Sequence, residues 1–259
     1  YKELEHFRMP GGEPLMDKNT YKAFDYVLEN PKPNLHLNVT SNFSVEEKLW
    51  VKYLDYVKRL CDGSIEHFMQ YVSVDTWGNQ AEYIRDGLDF NLMWDRVNQF
   101  LEEVPYYSSL TFIITMNNLA ITGMQKLLEE IKQLRDNYSK TYQRVWFDTP
   151  VLRSPQWQSM QILSEPYVMK LEQCKQYMED NIETEETRFH GFKDYEIQRM
   201  GRDIAWMAEP LADEYIQEQK ADFYRFFNEH DKRRNTNFLE VFPEMSSWWK
   251  ECGYYATQG

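Results

Sequence analysis

Leu35-His36-Leu37-Asn38-Val39-Thr40, followed closely by Ser44-Val45-Glu46-Glu47, is the stretch that decides the fold class. Leu35, Leu37 and Val39 alternate with His36, Asn38 and Thr40, the period-two pattern of a strand with one buried face. Ser44 as N-cap and Glu47 three residues on read as a capping box. Val45, Leu49, Tyr53, Val57 and Leu60 then recur at helical spacing, and Gly63 supplies a stop. Phe68 to Val74 is again strand-like. Strand, helix and strand in that order predict a crossover unit and a parallel sheet.

The same alternation extends in both directions. Leu4 to Met9 reads as a first strand, with a helix through Tyr21, Phe24, Val27 and Leu28. Beyond Val74, a helix from about Asp89 to Val104 buries Met93, Val97, Phe100 and Leu101. Leu110, Phe112, Ile114 and Met116 alternate as a fourth strand. Ile121, Met124, Leu128 and Ile131 form a helical stripe, and Val145-Trp146-Phe147 a fifth strand. The order β-α-β-α-β-α-β-α-β defines an α/β chain. The pattern leaves an open doubly wound sheet and a full or partial barrel as alternatives. After Pro150 the pattern turns helical: 161–181, 192–207 and 221–234, then an aromatic-rich tail from Phe238. The expected division is 1–150 for the sheet and 151–259 for its last part and a helical extension.

Composition narrows the function. Acidic residues number 42 against 29 basic ones, for a net charge of −13. Such a chain is a poor general nucleic-acid binder, because phosphate neutralisation needs clustered Lys and Arg. Lys232-Arg233-Arg234 reads as the solvated basic end of a helix. Glu229-His230-Asp231 reads as a charged helix face rather than a metal site. His6, His36, His67 and His190 are scattered and receive no role. No apolar run approaches the ~20 residues that span a bilayer, and no signal peptide is evident, so a cytoplasmic location is the expectation. The three cysteines, Cys61, Cys174 and Cys252, are widely spaced and read as free thiols. The chain begins at Tyr1 rather than Met, which suggests a fragment or a processed product.

Ligands of parallel α/β folds bind at the carboxyl ends of strands. There stand Gly11-Gly12-Glu13-Pro14, Asn42, Ser73 and Asp75, Asn117, and Asp148, with Arg85 ten residues beyond Asp75. The two glycines leave backbone groups open to a ligand, or simply make a tight corner; Pro14 lacks a donor. A strand ending in Gly-Gly-Glu-Pro and followed by a helix resembles the radical S-adenosylmethionine (radical SAM) superfamily, in which this motif binds the amino group of the methionine moiety. Asn42 is similar to the family's Thr-Asn-Gly, with Phe43 in place of the glycine. Ser73-Val74-Asp75 with Arg85 resembles its Ser-x-Asp strand and following Arg, which contact ribose and carboxylate. Asn117 resembles the Asn that ends the next strand. The tail from Phe227 to Arg234, with Phe242-Pro243-Glu244, is similar to proteins with twitch-type extensions of phage and marine bacterial type.

The resemblance implies a partial (β/α) barrel with mainly parallel strands and a helical C-terminal extension. It implies cofactor binding by Gly11, Gly12, Glu13, Pro14, Asn42, Ser73, Asp75, Arg85 and Asn117, with no metal ligand. The implied enzyme cleaves S-adenosylmethionine to a 5′-deoxyadenosyl radical that modifies a substrate, such as a peptide or protein. The family's [4Fe–4S] cluster is held by CxxxCxxC upstream of GGEP. Only ten residues precede Gly11 here and none is Cys, so a cluster is expected only in a longer protein and this chain alone is expected to be inactive. Two other readings stand beside it: a barrel hydrolase using Glu13, Asp75 or Asp148, and a cluster-less scaffold that binds a partner through the aromatic tail.

Overall fold

A computed structural model describes residues 1–258. The chain divides into two compact units. The first comprises Tyr1–Val74, Gly87–Ile113 and Ile131–Asp148. The second comprises Asp75–Asp86, Ile114–Glu130 and the chain from Thr149 onward. The segments that follow the third and fourth strands therefore group with the C-terminal half.

The first unit is built on five strands: β1 (His6–Met9), β2 (Lys32–Ser41), β3 (Ile65–Ser73), β4 (Ser108–Ile113) and β5 (Val145–Asp148). They lie in sequence order, and each pairs in parallel with the next. The parallel sheet expected from the alternation is present. Its helices are α1 (Lys18–Glu29), α2 (Glu47–Cys61), α3 (Asn79–Ile84, in the second unit), α4 (Phe90–Glu103) and α5 (Met124–Tyr138), whose last turns from Ile131 belong with the sheet.

One sheet face is apolar and helix-covered. Leu35, Leu37, Val39, Phe68, Val72, Leu110 and Phe112 are buried on it. Phe24 of α1 meets Tyr53 of α2 (6.2 Å between ring centroids), Tyr53 meets Phe68 of β3 (6.4 Å), and Phe68 meets Phe100 of α4 (6.3 Å). Each large aromatic buried there contributes roughly 2–3 kcal/mol of apolar transfer. The opposite face is polar and half-buried: His36, Asn38, Thr40, His67 and Tyr71.

Several boundaries differ from those read in the sequence. The capping box does not form. Helix α2 starts at Glu47, its N-cap Glu46 makes no side-chain cap bond, and the Ser44 hydroxyl is buried without a partner. The chain is diverted there because Asn42 Oδ1 accepts from Ser44 N–H (3.0 Å) and Phe43 takes a left-handed conformation. The aromatic-rich tail is helical. In the second unit α6 (Glu165–Asp180), α7 (Asp194–Met207) and α8 (Asp213–Arg234) are followed by α9 (Phe238–Val241) and α10 (Ser246–Gln258). Helix α8 begins eight residues before the sequence estimate of Ala221. Phe238, Phe242 and Trp248 of the tail are buried, with Trp248 4.5 Å from Phe223 of α8 between ring centroids. Those three residues belong to the unit's own core, while Tyr254 is exposed.

Candidate functional site

The turn after β1 holds its shape through backbone conformation. Gly11 has φ +86° and Gly12 φ +56°, both in the left-handed region where a Cβ clashes with its own backbone. A Cβ at either position would meet nothing within 4 Å. The two peptides thus present their polar groups beside open space. Glu13 follows, half-buried, as N-cap of the single 3-10 turn Pro14–Met16: its Oε1 accepts from Leu15 N–H at 3.1 Å. The turn is anchored below by buried Leu15, whose carbonyl accepts from the Tyr21 hydroxyl at 2.6 Å.

Burial holds the Glu13 carboxyl above the usual carboxylate range, against the opposing pull of hydrogen bonds from the Ser41 hydroxyl and the Leu15 and Asn42 backbone N–H groups. Glu13 and Asn42, picked out separately in the sequence, are therefore neighbours. The sign of the stability effect follows from the direction of the shift. A carboxyl raised in the folded state binds its proton more tightly there than in the unfolded chain. Stability then falls as pH rises from the ordinary value of about 4.3 through the raised one. Glu13→Gln keeps the acceptor for Leu15 and removes the charge. It is expected to raise the melting temperature at pH 7 and to leave it unchanged below pH about 4; a variant less stable than the parent at pH 7 contradicts this.

At the end of β2, Ser41 Oγ accepts from Phe43 N–H at 2.9 Å. Phe43 has φ +62°, the conformation that glycine favours, at the position where the resemblance expects glycine. A bulky residue held there stores on the order of 1–3 kcal/mol of strain. Complete burial of its ring, 4.7 Å from Trp50 and 6.2 Å from Phe100 between centroids, offsets that. Arg96 of α4, itself buried, donates to the carbonyls of Phe43 and Val45 (2.7 Å to the latter) and to Glu47 Oε2 at 3.0 Å. Ser73 ends β3 at the same end of the parallel sheet as Asn42 and the glycine turn.

In the second unit, Asp75, Arg85 and Asn117 gather around Thr115. Asp75 Oδ1 accepts from Thr115 N–H (3.2 Å) and from Arg85 Nη2 (2.9 Å), and its Oδ2 lies 2.8 Å from Arg85 Nε. Asn117 Nδ2 donates to the Thr115 carbonyl (3.0 Å), while its Oδ1 caps Leu119 N–H (2.9 Å). With its side chain only 4% exposed, Asp75 is committed to positioning Arg85 and the Thr115 turn. Three of the carboxylate's roughly four acceptor positions are thereby taken. Asp148, also a hydrolase candidate, ends β5, paired with Ile113.

The sheet's polar face holds groups that looked scattered in the sequence. His6, His36 and His67 stand in register on β1, β2 and β3. His6 and His36 stack at 4.8 Å between centroids, and His67 Nε2 lies 2.6 Å from Ser109 Oγ. Burial and the neighbouring His36 hold the His67 pKa below the usual histidine value. The guanidinium of Arg8 lies 4.5 Å from the Tyr71 ring centroid. Each histidine sits at a polar position of an alternating strand, which assigns a face but not a register, so their alignment was not readable. Among the described residues no group of three His, Cys, Asp or Glu could hold a metal ion. Among the described residues no helix is long and apolar enough to cross a membrane. No protein-family model, curated protein or solved structure matches the chain.

Proposed function

We propose that the chain is the cofactor-binding part of a radical SAM-type partial (β/α) barrel, holding S-adenosylmethionine at the carboxyl ends of β1, β2 and β3. The observation that carries the reading is the Gly11-Gly12 turn, with both residues left-handed and open space where each Cβ would stand. Peptide carbonyls bared in this way suit an ammonium group, and the Glu13 carboxylate beside them adds charge of the right sign. Five parallel strands in sequence order, with one face polar, also suit a barrel segment. The backbone at Phe43 keeps the form a glycine would give it.

Bound S-adenosylmethionine supplies an activated sulfonium from which a carbon group can be cleaved. The chain's own part is to grip the methionine amine at Gly11, Gly12 and Glu13 and to orient the remainder along Asn42 and Ser73. The residues present do not fit an iron–sulfur cluster. Cys61 is buried in α2, and Cys174 and Cys252 are buried in α6 and α10 of the other unit. Burial pushes the Cys61 and Cys174 thiols up to about 12 and raises Cys252 as well, the opposite of what a thiolate ligand needs. No electron-transfer step is therefore assigned to this chain.

Calorimetric titration with S-adenosylmethionine tests the proposal. Saturable binding is expected, weakened on the order of tenfold or more by Gly12→Val, which fills the open space. Absence of binding, or binding indifferent to Gly12→Val, refutes it. Anaerobic reconstitution with iron and sulfide is expected to give no stoichiometric cluster on this chain. A stoichiometric one would overturn the reading of the cysteines.

A further inference from the structure

A concavity of about 500 Å³ lies on one face of α8, lined by Arg225, Phe226, Glu229, His230, Arg233 and Arg234. Its volume is in the range of small-ligand sites. Three arginines on one helix face are unusual in a chain of net charge −13. Two of them are held in place. Arg225 donates to Asp222 Oδ1 (3.1 Å) and to the Ala256 carbonyl (3.4 Å), and Arg234 lies 3.0 Å from Asp86 Oδ2. A guanidinium has five N–H donors, so these contacts orient the two groups and leave donors over. Arg233 is exposed and makes no hydrogen bond or ion pair among the described residues.

Two further residues complete the rim. The His230 side chain is 10% exposed and lines the concavity, with its Nδ1 buried away from the opening. The nearest carboxylate oxygen, Asp231 Oδ1 at 3.5 Å, already accepts from the Tyr83 hydroxyl (2.8 Å) and Thr236 Oγ1 (2.7 Å), and Oδ2 accepts from Phe238 N–H (2.7 Å). Phe226 is 46% exposed and is backed by Trp157, with 4.3 Å between ring centroids. That makes a rigid apolar platform on the same rim as the arginines. Glu229, paired with Lys232 at 2.6 Å, stands between the platform and Arg233 along the helix.

We propose that this face of α8 binds a nucleoside phosphate. The base stacks on Phe226, a sugar hydroxyl donates to Glu229, and the phosphates meet Arg233 and Arg234 beside His230. A bare anion would use the arginines but not the platform, and would be repelled by Glu229. An uncharged ring would leave the arginines unanswered. Only a ligand with ring, hydroxyl and phosphate uses every group on the rim. The site lies wholly within the second unit and is independent of the proposed S-adenosylmethionine site, whose ligand carries no phosphate.

Calorimetric titration of the whole chain with ADP, adenosine and pyrophosphate separates the contributions. ADP is expected to bind with Kd below about 1 mM, and adenosine and pyrophosphate each at least about tenfold more weakly. Arg233→Ala and Phe226→Ser, both at exposed positions that the fold tolerates, are each expected to weaken ADP on the order of tenfold. Gly12→Val is expected to leave ADP binding unchanged. No saturable ADP binding overturns the proposal. So does pyrophosphate binding as tightly as ADP with Phe226→Ser indifferent, which would mean simple attraction of anions to the arginines.

Discussion

Replacing Arg96 by methionine is expected to cost about 2 kcal/mol and to lower the melting temperature by roughly 4–8 °C. The guanidinium lies inside the first unit with 3% of its side chain exposed, and it supplies the hydrogen bonds of two backbone carbonyls, Phe43 and Val45. Methionine fills a similar volume but leaves the Val45 oxygen without its donor, at about 1–3 kcal/mol, while the Phe43 oxygen loses one donor and keeps the Val45 N–H at 2.9 Å. Relief of the arginine's own desolvation returns part of that. The effect should concentrate where the carbonyls are, because Phe43 holds its left-handed conformation only while its surroundings over-determine it. The ion pair to Glu47 contributes little, since the Glu47 side chain is 72% exposed. Glu47→Gln therefore serves as the control, with a change within about 0.5 kcal/mol. Thermal unfolding of the two variants decides the matter. If Arg96→Met melts with the parent while Glu47→Gln does not, the surface charge is the important contact and this account is wrong.

Gly191→Ala is expected to cost about 2–4 kcal/mol, read as an earlier thermal transition. A Cβ there would stand 2.4 Å from both the Cα and the N of Glu183 and 2.7 Å from the Ile182 carbonyl carbon. These are backbone atoms and cannot swing aside as a side-chain end would. The two segments form a short parallel bridge between Ile182 and Phe192. Glu183 N–H donates to the Phe192 carbonyl and Phe192 N–H to that of Asn181, both at 2.9 Å. Separating them far enough to admit a methyl group strains both bonds and disturbs fully buried Phe192. Gly201 provides the contrast. It lies inside α7, and its Cβ would meet only Lys175 Cε at 3.5 Å. Gly201→Ala should therefore stabilise by about 0.5–1 kcal/mol, through helix propensity and the reduced freedom of the unfolded chain. Equal effects at the two glycines would show that close backbone approach is not what position 191 demands.

The first unit was legible where periodicity is strong. The alternation Leu35-Leu37-Val39 and the stripe Leu49-Tyr53-Val57-Leu60 each match one geometry, and a strand–helix–strand order admits a parallel sheet far more readily than any other. Local signals misled where a tertiary contact outbids them. Ser44 with Glu47 has the spacing of a cap, yet the chain there answers to Arg96 and to the burial of Phe43, both set by residues far away in sequence. The aromatics of the tail have no clear period, so their burial could be known only once α8 and α10 were packed together.

The candidate sites divide in the same way. Gly11-Gly12 could be recognised in the sequence because a left-handed turn is a local demand of the backbone, which few residues other than glycine meet. Adjacency of Glu13 to Asn42, of Asp75 to Arg85 and Thr115, and of His6 to His36 and His67 depends on strand register and loop path. Those are decided by the whole sheet and its loops, not by neighbours in the chain. Lys232-Arg233-Arg234 looked in the sequence like a solvated helix end, and two of its three charges do end in ion pairs. Only the folded α8 places His230, one turn away, and Arg225 and Phe226, two turns away, beside the same rim, because the 3.6-residue period aligns positions that a linear reading keeps apart.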